Sequence, residues 1–405
     1  MILWRRIFNH SFSFNKRENI MRVDLLGIGS RGDVQPLAAL AVHLQQKGHS
    51  VRLTAGDEFA GLANDAGIPF LALGLNMQAE IARHTNIYEL AASLSPRILQ
   101  SCDTNTDAII STFLGVSSCR LAREHGIPFF YVVPIPGLLT SKFAYPLFPQ
   151  FPLGGVYNRF THRMAEGMTR RFFPDANCLF QEPRPTYLFC FSEKLLPRPA
   201  DWGTFAHVTG FWYLDRPAGW QPPQTVVDFL HAGEAPVCIG FGSMPGTDAD
   251  YTTNLVLEAV KRSGQRAILV AGWGGLQPTA LSAEILWVEN IPYDWLFPQV
   301  RCVVHHGGVG TTADALRAGV PSVIVPFGGD QAFWGRRIHQ LGVGPQPIPF
   351  KQLNAGRLAD SMRYTAQNED MHNQAARMGE QIRAEDGLEK AVKIIKSTPR
   401  LKHGS

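Results

Sequence analysis

The densest group of residues able to do chemistry is Val303-Val-His-His306-Gly-Gly-Val-Gly-Thr-Thr312-Ala-Asp314, with two histidines, three glycines and two threonines in the eight positions 305–312. An apolar run enters a glycine-rich turn, and a helix is expected to begin near Val309. Backbone N–H groups at such a helix start, reinforced by the helix dipole, form an anion site suited to a diphosphate. The backbone of Gly307, Gly308, Val309 and Gly310 would form its floor, Thr311 and Thr312 add hydroxyl donors, and His306 adds a hydrogen bond or a positive charge. The plainer alternative is a glycine-rich turn whose histidines are buried and satisfied. Two further strand ends carry polar groups. Pro326-Phe-Gly-Gly-Asp330-Gln331 offers an acid and an amide, a helix cap or a pair suited to vicinal sugar hydroxyls, and Gly240-Phe-Gly-Ser243 offers a hydroxyl for a phosphate oxygen.

Near the start of the chain, Gly27-Ile-Gly29-Ser-Arg-Gly32 is a GxGxxG between a strand and a helix, which taken alone reads as dinucleotide binding. A ribose-binding acid should close the second strand, yet Thr54 stands there and Asp57 comes three residues later. Asp33 followed by Pro36 looks like an N-cap with a first-turn proline, and a carboxylate in that turn could also serve as a general base. Asp248-Ala-Asp250 spells a metal-type DxD, but it stands just before a helix, where acids favour the positive end.

These groups depend on elements that repeat as strand, turn and helix. Strands are expected at 22–26, 51–54, 70–73, 108–111 and 128–133, then at 236–241, 267–270, 285–288, 302–304 and 322–325. Helices are marked by Leu37, Leu40, Ala41 and Leu44 at i, i+3, i+4, i+7, by a stretch ending at His125, by Tyr251–Ser263, by a run to Arg317 and by the segment after Asp330. Residues 353–395 read as helical and charged. The pattern gives two α/β domains with parallel sheets, and ligands of such sheets bind beyond the carboxyl ends of the strands, here in the cleft between domains. The expected division is an extension at 1–20, a first domain at 21–211, a proline-rich linker at 212–235, a second domain at 236–385 and a C-terminal helix or tail at 386–405. The region after residue 133 breaks the rhythm: nine of the 32 residues from Phe129 to Phe160 are aromatic, against 10 % of the chain. It is either a packed loop core or the wall of an apolar, ring-accepting site.

Composition sets the outer limits. In 405 residues, 45 % are hydrophobic and 18 % charged, with 38 glycines and 28 prolines, and no uninterrupted apolar run has the length of a membrane span. Four cations among the first twenty residues (Arg5, Arg6, Lys16, Arg17) against Glu18 account for +3 of the net +4, leaving +1 on the other 385. A body so near neutrality gives no electrostatic footprint for nucleic acid. The first twenty residues lack the core and cleavage site of a secretory signal. They read as an extension before a start at Met21, with a basic membrane-surface segment as the second reading. The six cysteines (Cys102, Cys119, Cys178, Cys190, Cys238, Cys302) are scattered, so reduced cytoplasmic thiols are expected.

Taken together, Gly29-Ser-Arg-Gly-Asp33-Val-Gln-Pro36, Pro292-Tyr-Asp-Trp-Leu-Phe-Pro298, the 305–312 cluster, Gly319-Val-Pro321, Pro326 and Asp330-Gln331 resemble a family 1 glycosyltransferase of the GT-B fold. The likeness is greatest to the sterol 3-beta-glucosyltransferases and the bacterial enzymes that glycosylate lipids, glycopeptides and macrolides, and it runs from Met21 to Gly344. The resemblance implies two Rossmann-like domains facing across a cleft, with a nucleotide sugar, UDP-linked, as co-substrate and no bound metal or permanent cofactor. It places the diphosphate against His306 and Gly308–Thr312, the sugar against Asp330 and Gln331, the ribose near Asp314, and the acceptor's general base at Asp33. Acceptor contacts are expected from Ser30 and Arg31 and from Phe143, Tyr145 and Phe148 of the aromatic stretch, for a sterol, lipid or other apolar secondary metabolite, in the cytoplasm or peripherally at a membrane. Because base and phosphate site fall on different domains, closure must assemble the centre. An NAD(P)-dependent oxidoreductase using residues 27–32 leaves the 305–312 cluster unexplained. The joint presence of Asp33, His306, Asp330 and Gln331 argues against a lipid-binding relative without turnover.

Overall fold

A computed structural model describes residues 20–84, 86–242, 249–271, 276 and 282–400. The first sheet is built from β1 (Arg22–Leu26), β2 (Ser50–Ala55), β3 (Phe70–Ala72), β4 (Ala108–Ser111), β5 (Phe129–Val133), β6 (Thr186–Phe189) and β7 (Ala206–Val208) in the order β3-β2-β1-β4-β5-β6-β7. The second contains β8 (Val237–Gly240), β9 (Ala267–Val270), β10 (Ile285–Val288), β11 (Cys302–His305) and β12 (Ser322–Ile324) in the order β10-β9-β8-β11-β12. Every pairing is parallel. Helices cover both faces, so the central strands read as unbroken apolar runs such as Phe129–Val133, buried throughout.

Strand order reverses between β1 and β4 in the first sheet and between β8 and β11 in the second, the two crevices where such sheets hold ligands. The turn carrying Asp33 follows β1, and the turn carrying His306 follows β11. Both glycine turns therefore open at switch points. The helix after the first, Arg31–Gln46, buries Val34, Leu37, Leu40, Ala41 and Leu44 against its own sheet, the face that the periodicity marks.

The two domains touch across the cleft. Phe143 packs edge-on against Phe333 with ring centres 5.4 Å apart, Phe191 against Trp334 at 5.6 Å, and the Arg337 guanidinium donates to the Leu195 carbonyl at 2.6 Å. The chain crosses between domains twice, and the crossings lie side by side, with Gly210 against Gly387.

Several expectations need correction. Of the expected C-terminal helix or tail, the structure has the helix, Gly387–Ser397, which returns to the first domain and buries Ala391, Val392 and Ile395 in the cluster that contains Leu37 and Leu40. Glu389 on its outer side meets Lys47 at 2.9 Å and His43 at 3.3 Å. The linker is shorter than residues 212–235. Trp212 is buried in the first core, its indole donating to Thr209 Oγ1 at 3.0 Å, and the helix Gln224–His231 packs Val226 into the second domain. Cys119 and Cys178 are disulfide-bonded, so the expectation of six reduced thiols fails for this pair; the packing of their two elements brings together residues 59 positions apart. The aromatic region contains a 19-residue helix, Gly154–Phe172. The expected extension lies outside the described residues, apart from Ile20. Among the described residues, no helix is long and apolar enough to cross a membrane.

Candidate active site

Asp33 does not cap its helix as the N-terminal residue. Ser30 takes the N-cap position, and Asp33, three residues on, reaches back, its Oδ2 accepting the Ser30 amide at 2.8 Å and the Ser30 hydroxyl at 3.0 Å. Both bonds fall on one oxygen; Oδ1 makes no hydrogen bond among the described residues. Gly29, at φ +138°, leaves room for the carboxylate, which a Cβ there would strike. Burial raises the Asp33 carboxyl to about 6; the Ser30 bonds oppose the rise and the charge of Asp330, from the other domain, adds to it. A carboxylate with that affinity is ionised at neutral pH yet basic enough to take a proton.

This arrangement also disposes of the dinucleotide reading. The position a pyrophosphate would take at the helix start is filled by the protein's own carboxylate. Asp57, the nearest candidate for a ribose acid, accepts the Gly74 amide at 2.8 Å instead.

Across the cleft, Gly308 caps the helix Val309–Ala318, whose first intrahelical bond runs from the Thr312 amide to the Gly308 carbonyl at 3.0 Å. The amides of Val309, Gly310 and Thr311 precede that bond and face outward, as the first turn of any helix must. The His306 ring lies between the backbones of Gly242 and Gly308, where a Cβ at either glycine would press on it. Its Nδ1 is buried without a hydrogen-bond partner among the described residues, and burial lowers the ring to about 4. His306 is thus a neutral donor or acceptor here, not the cation that was the other option. His305 is fully buried, and its Nδ1 accepts the Gly307 amide at 3.1 Å, so it shapes the turn. Thr312 differs from expectation: its buried hydroxyl donates to the Gly308 carbonyl at 2.9 Å and is spent on the helix.

Asp330 precedes the helix Gln331–Gln340 without capping it by its side chain; Oδ2 accepts the indole N–H of Trp334 at 2.7 Å. Burial raises its carboxyl and the Trp334 bond opposes this. Gln331 Oε1 accepts the amides of Phe327 and Gly328 at 2.8 and 3.2 Å, which ties the preceding turn. Asp314 lines a cavity of about 520 Å³ with Asp215, Arg216, Asp294 and Arg317. Burial takes its carboxyl up to about 7, against the pull of Arg317 and of Arg31 from the first domain. Arg31 is exposed and bonded to Gln35 at 2.9 Å, and its charge is felt at Asp314 and Tyr293 of the second domain. Ser243 and Asp248 lie outside the described residues; Asp250 is exposed in the first turn of the helix Ala249–Ser263, where its charge suits the dipole.

The aromatic residues gather around a histidine that sequence reasoning missed. His162, on the helix Gly154–Phe172, contacts Tyr145 and Phe143 with ring centres 5.5 and 6.0 Å apart, and its Nε2 meets the Phe143 carbonyl at 3.2 Å. Burial lowers its basicity, so it is a neutral peg for the loop. Tyr145 stands edge-on to Phe148 at 6.1 Å, and burial pushes its phenol up to about 12, with Asp330 adding to the rise. Phe143, Tyr145 and Phe148 thus form one cluster against this helix, and Phe143 reaches Phe333 across the cleft. The signal for His162 was present: Asn158, Thr161, His162 and Ala165, the buried face, stand at i, i+3, i+4, i+7, but three of the four are polar.

Comparison with known proteins agrees with this geometry. The glycosyltransferase family 28 N-terminal domain matches residues 23–118, and the erythromycin biosynthesis protein CIII-like C-terminal domain matches residues 274–396. A sterol 3-beta-glucosyltransferase of Arabidopsis thaliana is 34 % identical over 93 % of this chain, which spans 65 % of that relative's length. The O-mycaminosyltylonolide 6-deoxyallosyltransferase of Streptomyces fradiae is also 34 % identical, over 93 % of this chain and 97 % of its own. The structure of the Streptomyces sp. SF2575 glycosyltransferase SsfS6, complexed with thymidine diphosphate, superposes with a TM-score of 0.63 at 17 % identity, covering 93 % of this chain and all of that one. Two parallel-sheet domains facing across a cleft define the GT-B class. The chain belongs to the family 1 glycosyltransferases of that fold, together with the sterol and macrolide glycosyltransferases.

Proposed function

We propose that the protein transfers a hexose, glucose in the first instance, from a nucleoside diphosphate sugar to a hydroxyl of an apolar acceptor such as a sterol, lipid or macrolide-like metabolite, with inversion at the anomeric carbon. The observation that carries this reading is the opposition of Asp33 and Asp330: a buried carboxylate held by Ser30 in one domain lies within the field of a carboxylate held by Trp334 in the other.

In that reading Asp33 removes the acceptor hydroxyl proton as the oxygen attacks the anomeric carbon. The bond from that carbon to the diphosphate oxygen breaks, and the electron pair leaves with the diphosphate. The growing charge meets the outward amides of Val309–Thr311 and a hydrogen bond from His306, fixed dipoles that need no reorganisation. Asp330 orients the sugar hydroxyls, and Asp314 faces the nucleotide side, where Arg31 approaches from the first domain. The aromatic cluster of Phe143, Tyr145 and Phe148 suits an acceptor with apolar rings. SsfS6 holds thymidine diphosphate, so the nucleotide is tested as well as the acceptor.

The experiment is incubation with UDP-glucose or TDP-glucose and a panel of sterol, macrolide and long-chain alcohol acceptors, read by mass spectrometry, with the anomer assigned by NMR. A hexose mass increment with a β-linkage from the α-linked donor is expected. Absence of product across the panel, or an α-linked product, would overturn the reading.

A further inference from the structure

We propose that the outer side of the helix Gly154–Phe172 is a docking surface for an anionic lipid bilayer. Thirteen large hydrophobic residues are exposed among the described residues, and nine of them fall between Leu139 and Phe172. On the helix itself Val156, Phe160, Met164, Met168 and Phe172 stand at successive i, i+4 positions, with Val156 86 % and Phe160 56 % exposed. An apolar row turned to water on a helix whose buried side carries Asn158, Thr161 and His162 inverts the usual amphipathic order.

Charge selects the occupant. The helix carries Arg159, Arg163, Arg170 and Arg171 against Glu166 alone, on a body that is otherwise close to neutral. Arg170 is engaged with Glu166 at 2.7 Å and lies over the Phe180 ring; Arg159, Arg163 and Arg171 are exposed and make no ion pair among the described residues. Apolar side chains beside unpaired arginines match the acyl boundary and the phosphate layer of an anionic leaflet. The surface is also continuous with the cleft: His162, on the inner side of the same helix, touches Phe143 and Tyr145. A bilayer seated on the outer side would present its dissolved apolar molecules at the mouth of the aromatic cluster. That delivery role rests on the apolar-acceptor reading above, whereas the docking itself does not.

The test is co-sedimentation of the full chain, without donor or acceptor, with vesicles of phosphatidylcholine alone or of phosphatidylcholine mixed with phosphatidylglycerol. Binding to the mixed vesicles is expected, weakening as salt is raised. Val156→Ser with Phe160→Ser should lower the affinity by about tenfold for each side chain that no longer inserts. Arg159→Glu with Arg163→Glu should abolish the preference for phosphatidylglycerol. All four positions are exposed and outside the catalytic machinery, so nucleotide affinity should hold in both variants and report intact folding. Failure of the wild type to bind either vesicle, or equal binding by the variants, would overturn the proposal. So would a dimer in solution that these substitutions break, which would make a second copy the occupant. Vesicle docking without transfer to any acceptor would sink the functional reading and leave the surface standing; transfer without docking would do the reverse.

Discussion

The two glycine turns at the heart of this molecule have the same backbone plan and opposite chemistry. Each follows the strand at a switch point, each starts a helix whose second residue is glycine (Gly32 and Gly310), and each turns its first amides toward the cleft. The difference lies at the third helical residue. In the first domain it is Asp33, which folds back on Ser30 and places a negative charge at the positive end of the helix. In the second it is Thr311, and beside it stands the neutral His306. One helix start has filled its own anion site with a buried carboxylate; the other has left its first amides open. A helix N-terminus thus has no fixed role, and one side chain decides between the two.

Changing that side chain tests the comparison most directly. Asp33→Asn keeps a group that can accept the Ser30 bonds but cannot take a proton, so turnover should fall by roughly 10²–10⁴. Nucleotide affinity, which belongs to the other domain, should be unchanged. The carboxyl of Asp33 sits at about 6 in the fold, above its ordinary 3.8, so the folded state binds the proton more tightly and this group destabilises the fold as pH rises from about 4 to 6. The melting temperature of Asp33→Asn at neutral pH should therefore equal or slightly exceed that of the wild type, and the wild type's kcat/KM should decline below about pH 6. Near-normal turnover in the variant would leave Asp33 with a structural role alone.

A smaller loss is expected on the opposite side. His306→Ala removes one preorganised donor and should slow turnover by about 10²–10³ and weaken nucleotide diphosphate binding. Unchanged calorimetric affinity together with unchanged turnover would remove His306 from the site. Thr311→Asp converts the second turn toward the first. A carboxylate at the open helix end should compete with the diphosphate and weaken nucleotide binding by roughly tenfold at low salt, with no loss of helix stability. Tighter or equal binding would show that the diphosphate does not use this helix start. The smallest effect should come from chelation: with amides and His306 carrying the leaving-group charge, EDTA should leave the rate unchanged. Loss of activity restored by Mg²⁺ would show that a cation shares the task.

Much of the architecture was legible because buried parallel strands are short apolar runs that need no partner to be recognised. Ala108–Ser111 and Ala267–Val270, buried throughout, fall where the sequence puts them. The helix Gly154–Phe172 was hidden for a physical reason, since its inward side is polar and its outward side apolar, the reverse of what periodicity searches for. Within the site, residue type marked the glycine-rich turn before the Val309–Ala318 helix but not the use of each group. A threonine hydroxyl in a first helical turn can face a ligand or its own carbonyl, and Thr312 takes the carbonyl. Nor can spacing say which of two adjacent histidines is consumed by the turn. That is settled by the Gly307 amide, which bonds His305 and leaves His306 between two glycines.

The returning helix Gly387–Ser397 has a consequence for the order in which the protein is made. Ala391, Val392 and Ile395 are synthesised after the second domain, yet they complete the core around Leu37 and Leu40, which are made before it. An emerging first domain must therefore wait, with that side of the Arg31–Gln46 helix open to water, until the whole second domain has left the ribosome. The domain made before its neighbour is sealed after it, and a synthesis interrupted between the two yields a first domain with an exposed apolar seam.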